Sequence, residues 1–184
     1  MRRLAFWAVV FLLSAVITHL AYVLFGPRYQ MASLMRQTVA MAPLNSLAVL
    51  DKAQQRVLFP DDSGAELRAV CPFDLSTGDL TLKAMMPDTQ WAIAVYSSRG
   101  ELIYSLTRQQ AGVLDAAIAI IPARSLVELV QPREKDAIFN DGWKLESASI
   151  TGLAVIWAVL ANPLDDMRYR AQLTASSCAI KTPG

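Results

Sequence analysis

The sequence predicts an α+β protein: an N-terminal transmembrane helix, then one β-rich domain, sandwich or barrel-like, with flanking helices. Three observations predict it. Residues 4–25 form a run of 22 residues with no Asp, Glu, Lys or Arg, which as a helix spans about 33 Å against a hydrocarbon core of about 30 Å. The centre of the chain carries period-two alternation and short β-prone apolar runs separated by Gly, Ser and Pro turns. The remaining ~159 residues suit one domain better than two.

Arg2 and Arg3 precede the apolar run and favour a cytoplasmic N-terminus. Trp7 and Tyr22 lie near the two membrane interfaces, and the chain is expected to leave the bilayer at Gly26-Pro27. The rival readings are a cleaved signal peptide and a buried soluble helix. A signal peptide is disfavoured because the run exceeds a usual apolar region and Phe25-Gly26-Pro27-Arg28 is a poor cleavage site. His19 lies inside the span and reads as a neutral histidine in its outer third. The expected organisation is a signal anchor over 1–26, an amphipathic juxtamembrane helix over 27–43 and a β-rich periplasmic domain over 44–184. Met31, Leu34, Met35 and Val39 mark the apolar stripe of that second helix.

Residues 44–66 show no clear pattern, with a loop over Phe59–Gly64. Leu80, Leu82 and Ala84 alternate with Asp79, Thr81 and Lys83, and Ser76–Asp79 is expected to turn a hairpin joining 67–75 to 80–86. Gln90–Tyr96 and Glu101–Leu106 form a second hairpin around Ser97-Ser98-Arg99-Gly100. Ala116–Ile121 is a further strand, followed by helical turns over 123–130. Ile150–Ala161 is too short to span a membrane and reads as a buried strand after Trp143–Ser147. Asn162-Pro163-Leu164-Asp165-Asp166 starts a helix, with an N-cap, an early proline and two acids. Leu164, Met167, Ala171 and Ala175 are expected to be its packed face.

Charge and motifs narrow the chemistry. Without Arg2 and Arg3 the chain carries 15 basic and 16 acidic residues, so no basic excess supports nucleic-acid binding. The single histidine lies in the apolar run, which removes His-based nucleophile and metal sites from the domain. No glycine-rich phosphate loop occurs. No catalytic residue, metal or cofactor is therefore assigned. The acidic spots at Asp61-Asp62, Asp74/Asp79 and Asp165-Asp166 read as a loop, turns and a helix start. In an oxidising compartment Cys71 and Cys178 have one available pairing; the alternative is two buried thiols. That bridge would close ~107 residues and contribute about 4–5 kcal/mol in the chain-entropy model. Trp91, Tyr96, Arg99, Tyr104 and Arg108 lie on or beside the second hairpin. They read either as an aromatic platform with two cations for a ligand, or as core packing and solvated strand ends.

Ala69–Gly78, Trp91–Gly100 and Tyr104–Ala111 together resemble the short membrane-anchored members of domain-of-unknown-function family 1254, where a Cys–Asp-Leu–Ser–Gly segment precedes a Trp–Tyr–Arg-Gly hairpin and a Tyr-Ser-Leu–Arg-Gln segment. The tail from Ile150 to Cys178 is similar to that family's terminal strand, helix and cysteine. Pro72 stands where the family commonly has a basic residue. The resemblance implies a β-rich domain, carries over no catalytic residue and implies a separate membrane-anchored β-rich partner chain. Three function classes follow. The first is a single-pass inner-membrane protein of a Gram-negative bacterium whose periplasmic domain binds another envelope protein. The second is a small-molecule or lipid-binding domain with an apolar pocket of several hundred Å³ beside Trp91 and Tyr96. The third is an enzyme of carboxylate or cofactor type.

Overall fold

The computed structural model describes residues 2–60, 65–112, 115–123 and 142–181. The turns expected over 123–130 and the Asp61-Asp62 loop lie outside these residues, apart from Ala123. The chain is α+β: a long N-terminal helix, α1 (Arg2–Met41), precedes a two-sheet β domain with short helices. The strands are β1 (Ala48–Val49), β2 (Glu66–Asp74), β3 (Asp79–Met85), β4 (Trp91–Ser97), β5 (Leu102–Thr107), β6 (Asp115–Pro122), β7 (Trp143–Ser147), β8 (Thr151–Val159) and β9 (Ser177–Lys181). The helices of the domain are α2 (Lys52–Leu58), α3 (Arg108–Ala111) and α4 (Asp166–Thr174).

The first sheet has the order β1-β2-β8-β4-β5 and is antiparallel throughout. The second runs β7-β6-β3-β9, with β6 and β7 parallel. Alternate side chains point to opposite faces of a strand, and both sheets turn their apolar sets toward one shared core. Leu67, Cys71 and Phe73 of β2, Ile93 of β4 and Ile156 of β8 meet Leu80 and Leu82 of β3 and Ile118 of β6 there. A disulfide joins Cys71 on β2 to Cys178 on β9 and so ties the two sheets together across 107 positions. The expected pairing is thus the one present.

The β4–β5 hairpin forms as the sequence predicts, with Gly100 at φ +84° in its turn, a conformation that favours glycine. The expected hairpin between 67–75 and 80–86 does not form. β2 pairs with β1 and β8, whereas β3 pairs with β6 and β9. Residues 75–78 instead carry the chain from one sheet to the other. Leu75–Thr77 make a single 3₁₀ turn capped by the Asp74 carboxylate, which accepts from the Ser76 amide at 2.9 Å. At Gly78 a Cβ would lie 2.9 Å from the Lys181 carbonyl oxygen, so this crossing needs the missing side chain. A tight turn between two alternating strands has the same pattern whether the strands pair or face each other across a core.

Helix α1 also departs from expectation. It runs unbroken through Pro27, where the sequence predicts the end of one helix and the start of another. Proline removes one helical hydrogen bond and costs about 3 kcal/mol in a helix interior, and the docking of the following turns opposes that cost. Met31, Thr38 and Ala42 are buried on the outer face of the first sheet, against Val70, Leu153 and Val155. Thr38 hides its hydroxyl by donating to the Leu34 carbonyl at 2.8 Å, so the docked stripe passes through 31, 34, 35, 38 and 42 and leaves Val39 41% exposed. Before Pro27 the apolar stretch is exposed along its whole length and is long and apolar enough to cross a membrane.

Pro72 lies inside β2, and because its nitrogen carries no hydrogen, β1 pairs only with Ala69 and Val70. The Pro72 carbonyl, on the same side, accepts from the Asn45 amide at 2.7 Å. At the other end, Asn162 caps the turn before α4 by accepting from the Leu164 amide at 3.0 Å, as the sequence predicts. The packed face of α4 is not the predicted one: Tyr169 and Leu173 are buried, while Leu164 and Met167 are 86% and 82% exposed. Pro163–Asp165 form a 3₁₀ turn, so the helical phase starts at Asp166 and the apolar stripe counted from Leu164 falls on the outer side.

Candidate functional site: a groove between α1 and the first sheet

Helix α1 covers only part of the sheet it crosses. The uncovered part forms a groove of about 900 Å³ between α1 and α2. Its floor is Arg68 of β2, Val155 and Trp157 of β8 and Tyr96 of β4. These residues face outward because their neighbours Leu67, Ile156 and Val95 face the core. One wall comes from Gln30, Leu34 and Gln37 of α1, the other from Leu58 of α2 and Phe59 beyond it.

Helix α2 is placed by a capping box that an Asp–x–x–Gln pattern encodes. The Asp51 carboxylate accepts from the Gln54 amide at 2.8 Å, and the Gln54 side chain accepts from the Asp51 amide at 2.9 Å. Gln55 then donates to the Leu50 carbonyl at 3.2 Å, and Arg170 of α4 donates to the same oxygen at 2.8 Å. Leu58 and Phe59 are thereby held at the groove. Arg68 and Glu66, two positions apart on the same face of β2, pair at 2.9 Å with side chains 19% and 29% exposed. The Arg68 guanidinium also lies 4.4 Å from the centre of the Phe59 ring, a cation–π contact. The groove therefore has a floor of aromatic and aliphatic surface that also carries the Arg68–Glu66 ion pair, and two glutamines on its α1 wall. Such a surface suits an apolar chain with a polar end.

The residues expected at the second hairpin are not gathered in one place. Tyr96 alone among them lines the groove. Trp91 turns into the core at 3% exposure, and its indole N–H has no hydrogen-bond partner among the described residues. Tyr104 sits opposite Val95 and so packs toward the core. Arg108 donates to the Asp88 carboxylate at 2.6 Å and to the Thr89 carbonyl at 3.0 Å, clamping the segment before β4. Arg99 is exposed in the β4–β5 turn. Reading single strands misses Arg68, Trp157 and the α1 wall, because the groove exists only where a distant helix crosses the sheet. The outward positions of β2 and β8 are the one local signal of it.

Among the described residues, no three side chains of His, Cys, Asp or Glu stand close enough to hold a metal ion. The class defined by these features is a β-sandwich domain carrying a membrane-length helix that doubles as one wall of a groove. No protein-family model matches the chain, and no curated protein matches it. Among solved structures it is similar to the crystal structure of the VPA0106 protein from Vibrio parahaemolyticus, with a TM-score of 0.62, 10% identity, and coverage of 89% of this chain and 39% of that chain. It is also similar to an uncharacterised protein from Burkholderia cenocepacia, with a TM-score of 0.49, 12% identity, and coverage of 77% of this chain and 35% of that one. The Vibrio likeness is one of fold, and the present chain spans about two fifths of that protein's length.

Proposed function

We propose that this chain is a single-pass inner-membrane protein of a Gram-negative envelope whose periplasmic domain binds an amphiphile in the groove beside Tyr96. The observation that carries the reading is the groove itself, about 900 Å³ in volume and walled by the helix that continues the apolar segment. The anchor reading is supported by the exposed apolar run and by Arg2 and Arg3 before it. A periplasmic domain accords with the Cys71–Cys178 disulfide, because such bonds persist in oxidising compartments. The motifs around Ala69–Gly78 and Trp91–Gly100 still favour a short member of domain-of-unknown-function family 1254.

A fluorescent fatty acid titrated into the full-length protein in a mild non-ionic detergent tests this reading. Saturable binding is expected, weakened about tenfold or more in Trp157→Ala while the far-ultraviolet circular dichroism is retained. Equal binding by the wild type and by Trp157→Ala would contradict it. A second reading, a docked envelope protein, follows from the resemblance of Ala69–Gly78 and Trp91–Gly100 to family 1254, which implies a separate membrane-anchored β-rich partner chain. Cross-linking in native membranes followed by mass spectrometry separates the two: a stoichiometric second protein supports docking, and a lone chain supports the amphiphile reading.

A further inference from the structure

Gly100, in the β4–β5 turn, sits against the first turn of α1 beyond the apolar run. A Cβ there would lie 3.2 Å from the Pro27 carbonyl oxygen and 3.3 Å from the Met31 Cβ. Further along, Ala42 joins the cluster that contains Val70 of β2, and the Asn45 amide reaches the Pro72 carbonyl. Helix α1 thus starts at the β4–β5 end of the sheet and finishes at the β2–β1 end. From Met31 to its end at Met41 it rises about 15 Å, close to the three strand spacings of about 4.8 Å that separate β5 from β2. The strand order therefore runs along the helix axis. With residues 4–25 in the bilayer, β5 and the β4–β5 turn are the parts of this sheet nearest the membrane, and β1 is the farthest. Because the contact is at Pro27 itself, a bend of the helix there does not move the turn away from the interface.

The side chains at that level suit phospholipid headgroups. Arg28 and Arg99 are both exposed, and neither makes an ion pair among the described residues. Tyr29 and Leu102 are 75% and 56% exposed. Glu101, the acid that follows the turn in sequence, accepts from the Ser97 hydroxyl at 3.4 Å. Tyrosine is favoured at a headgroup boundary, and arginine pairs with phosphate.

We propose that the β4–β5 turn seats on the bilayer surface, with Arg28 and Arg99 pairing with lipid phosphates and Tyr29 and Leu102 lying at the interface. This surface holds the domain on its side, and it brings the Pro27–Gln30 end of the groove to the level of the headgroups. The proposal rests on the anchor reading, and the test separates the two.

The full-length chain is reconstituted in nanodiscs containing phosphatidylglycerol. Nitroxide labels are placed one at a time at Leu13→Cys, Ser98→Cys and Lys52→Cys, the native cysteines being bonded to each other. Collision with oxygen and with a water-soluble nickel chelate reads depth. The Leu13 label is expected in the bilayer interior, the Ser98 label at the interface with an oxygen-to-nickel ratio several-fold above that of Lys52, and the Lys52 label in water. Adding Arg28→Gln and Arg99→Gln is expected to move the Ser98 label toward the aqueous value while leaving Leu13 unchanged. A buried Leu13 label with an aqueous Ser98 label would overturn the seating and spare the anchor. An aqueous Leu13 label, or a protein that does not co-migrate with the discs, would overturn both.

Discussion

Strands β3 and β8 are both interior strands of their sheets, yet they are buried differently. In β3 the core takes Leu80, Leu82 and Ala84, while Lys83 and Met85 on the other face are exposed. In β8 Gly152–Ile156 are buried without interruption. The difference comes from the outer faces. The second sheet leaves the outer side of β3 open at Lys83 and Met85, whereas α1 lies across β8 and buries Leu153 and Val155 from behind. A strand covered on both faces loses its alternation and reads as a continuous apolar run. The run at 150–161 is therefore the trace, in the sequence, of a helix more than a hundred residues away.

That contrast can be broken at graded cost. Gly152 is the most sensitive point, because a Cβ there would run into the Tyr96 carbonyl and the Phe73 ring. Gly152→Ala is expected to destabilise the domain by about 3 kcal/mol or more, read as a loss of urea midpoint or of folded yield. Replacing both Cys71 and Cys178 by Ala frees the two sheets from each other, and chemical denaturation should register a cost of about 2–5 kcal/mol. Leu153→Ala, under α1, is expected to cost about 2–4 kcal/mol by cavity formation. It should also speed amide hydrogen exchange in residues 31–42 ahead of the core strands. On the open face of β3, Lys83→Ala should change stability by no more than about 0.5 kcal/mol. Equal losses at Leu153 and Lys83 would mean that α1 does not cover the sheet.

What the residues disclose beforehand follows the same division. Features set by local chemistry are legible: the β3 alternation, the Gly100 turn, the Asn162 cap and the apolar run of α1. The one available cysteine pairing is legible too. Features set by distant partners are not. Ser76–Asp79 looks like a hairpin turn because strands facing across a core alternate as strands side by side do. Pro27 looks like a helix end because the sheet that holds the next turns is invisible locally. The face of α4 is misassigned by the phase of one 3₁₀ turn. The groove is hidden for the second of these reasons: Tyr96 is visible as an outward aromatic, but Arg68 and Trp157 become a floor only once α1 and α2 rise beside them.

The most direct test of the groove is native mass spectrometry of the full-length chain, extracted from its own membranes in mild detergent, alongside Trp157→Ala. A wild-type population carrying one bound amphiphile, depleted in the variant, is expected. A wild-type chain that emerges with no bound molecule, or an adduct unchanged by Trp157→Ala, would contradict the amphiphile reading.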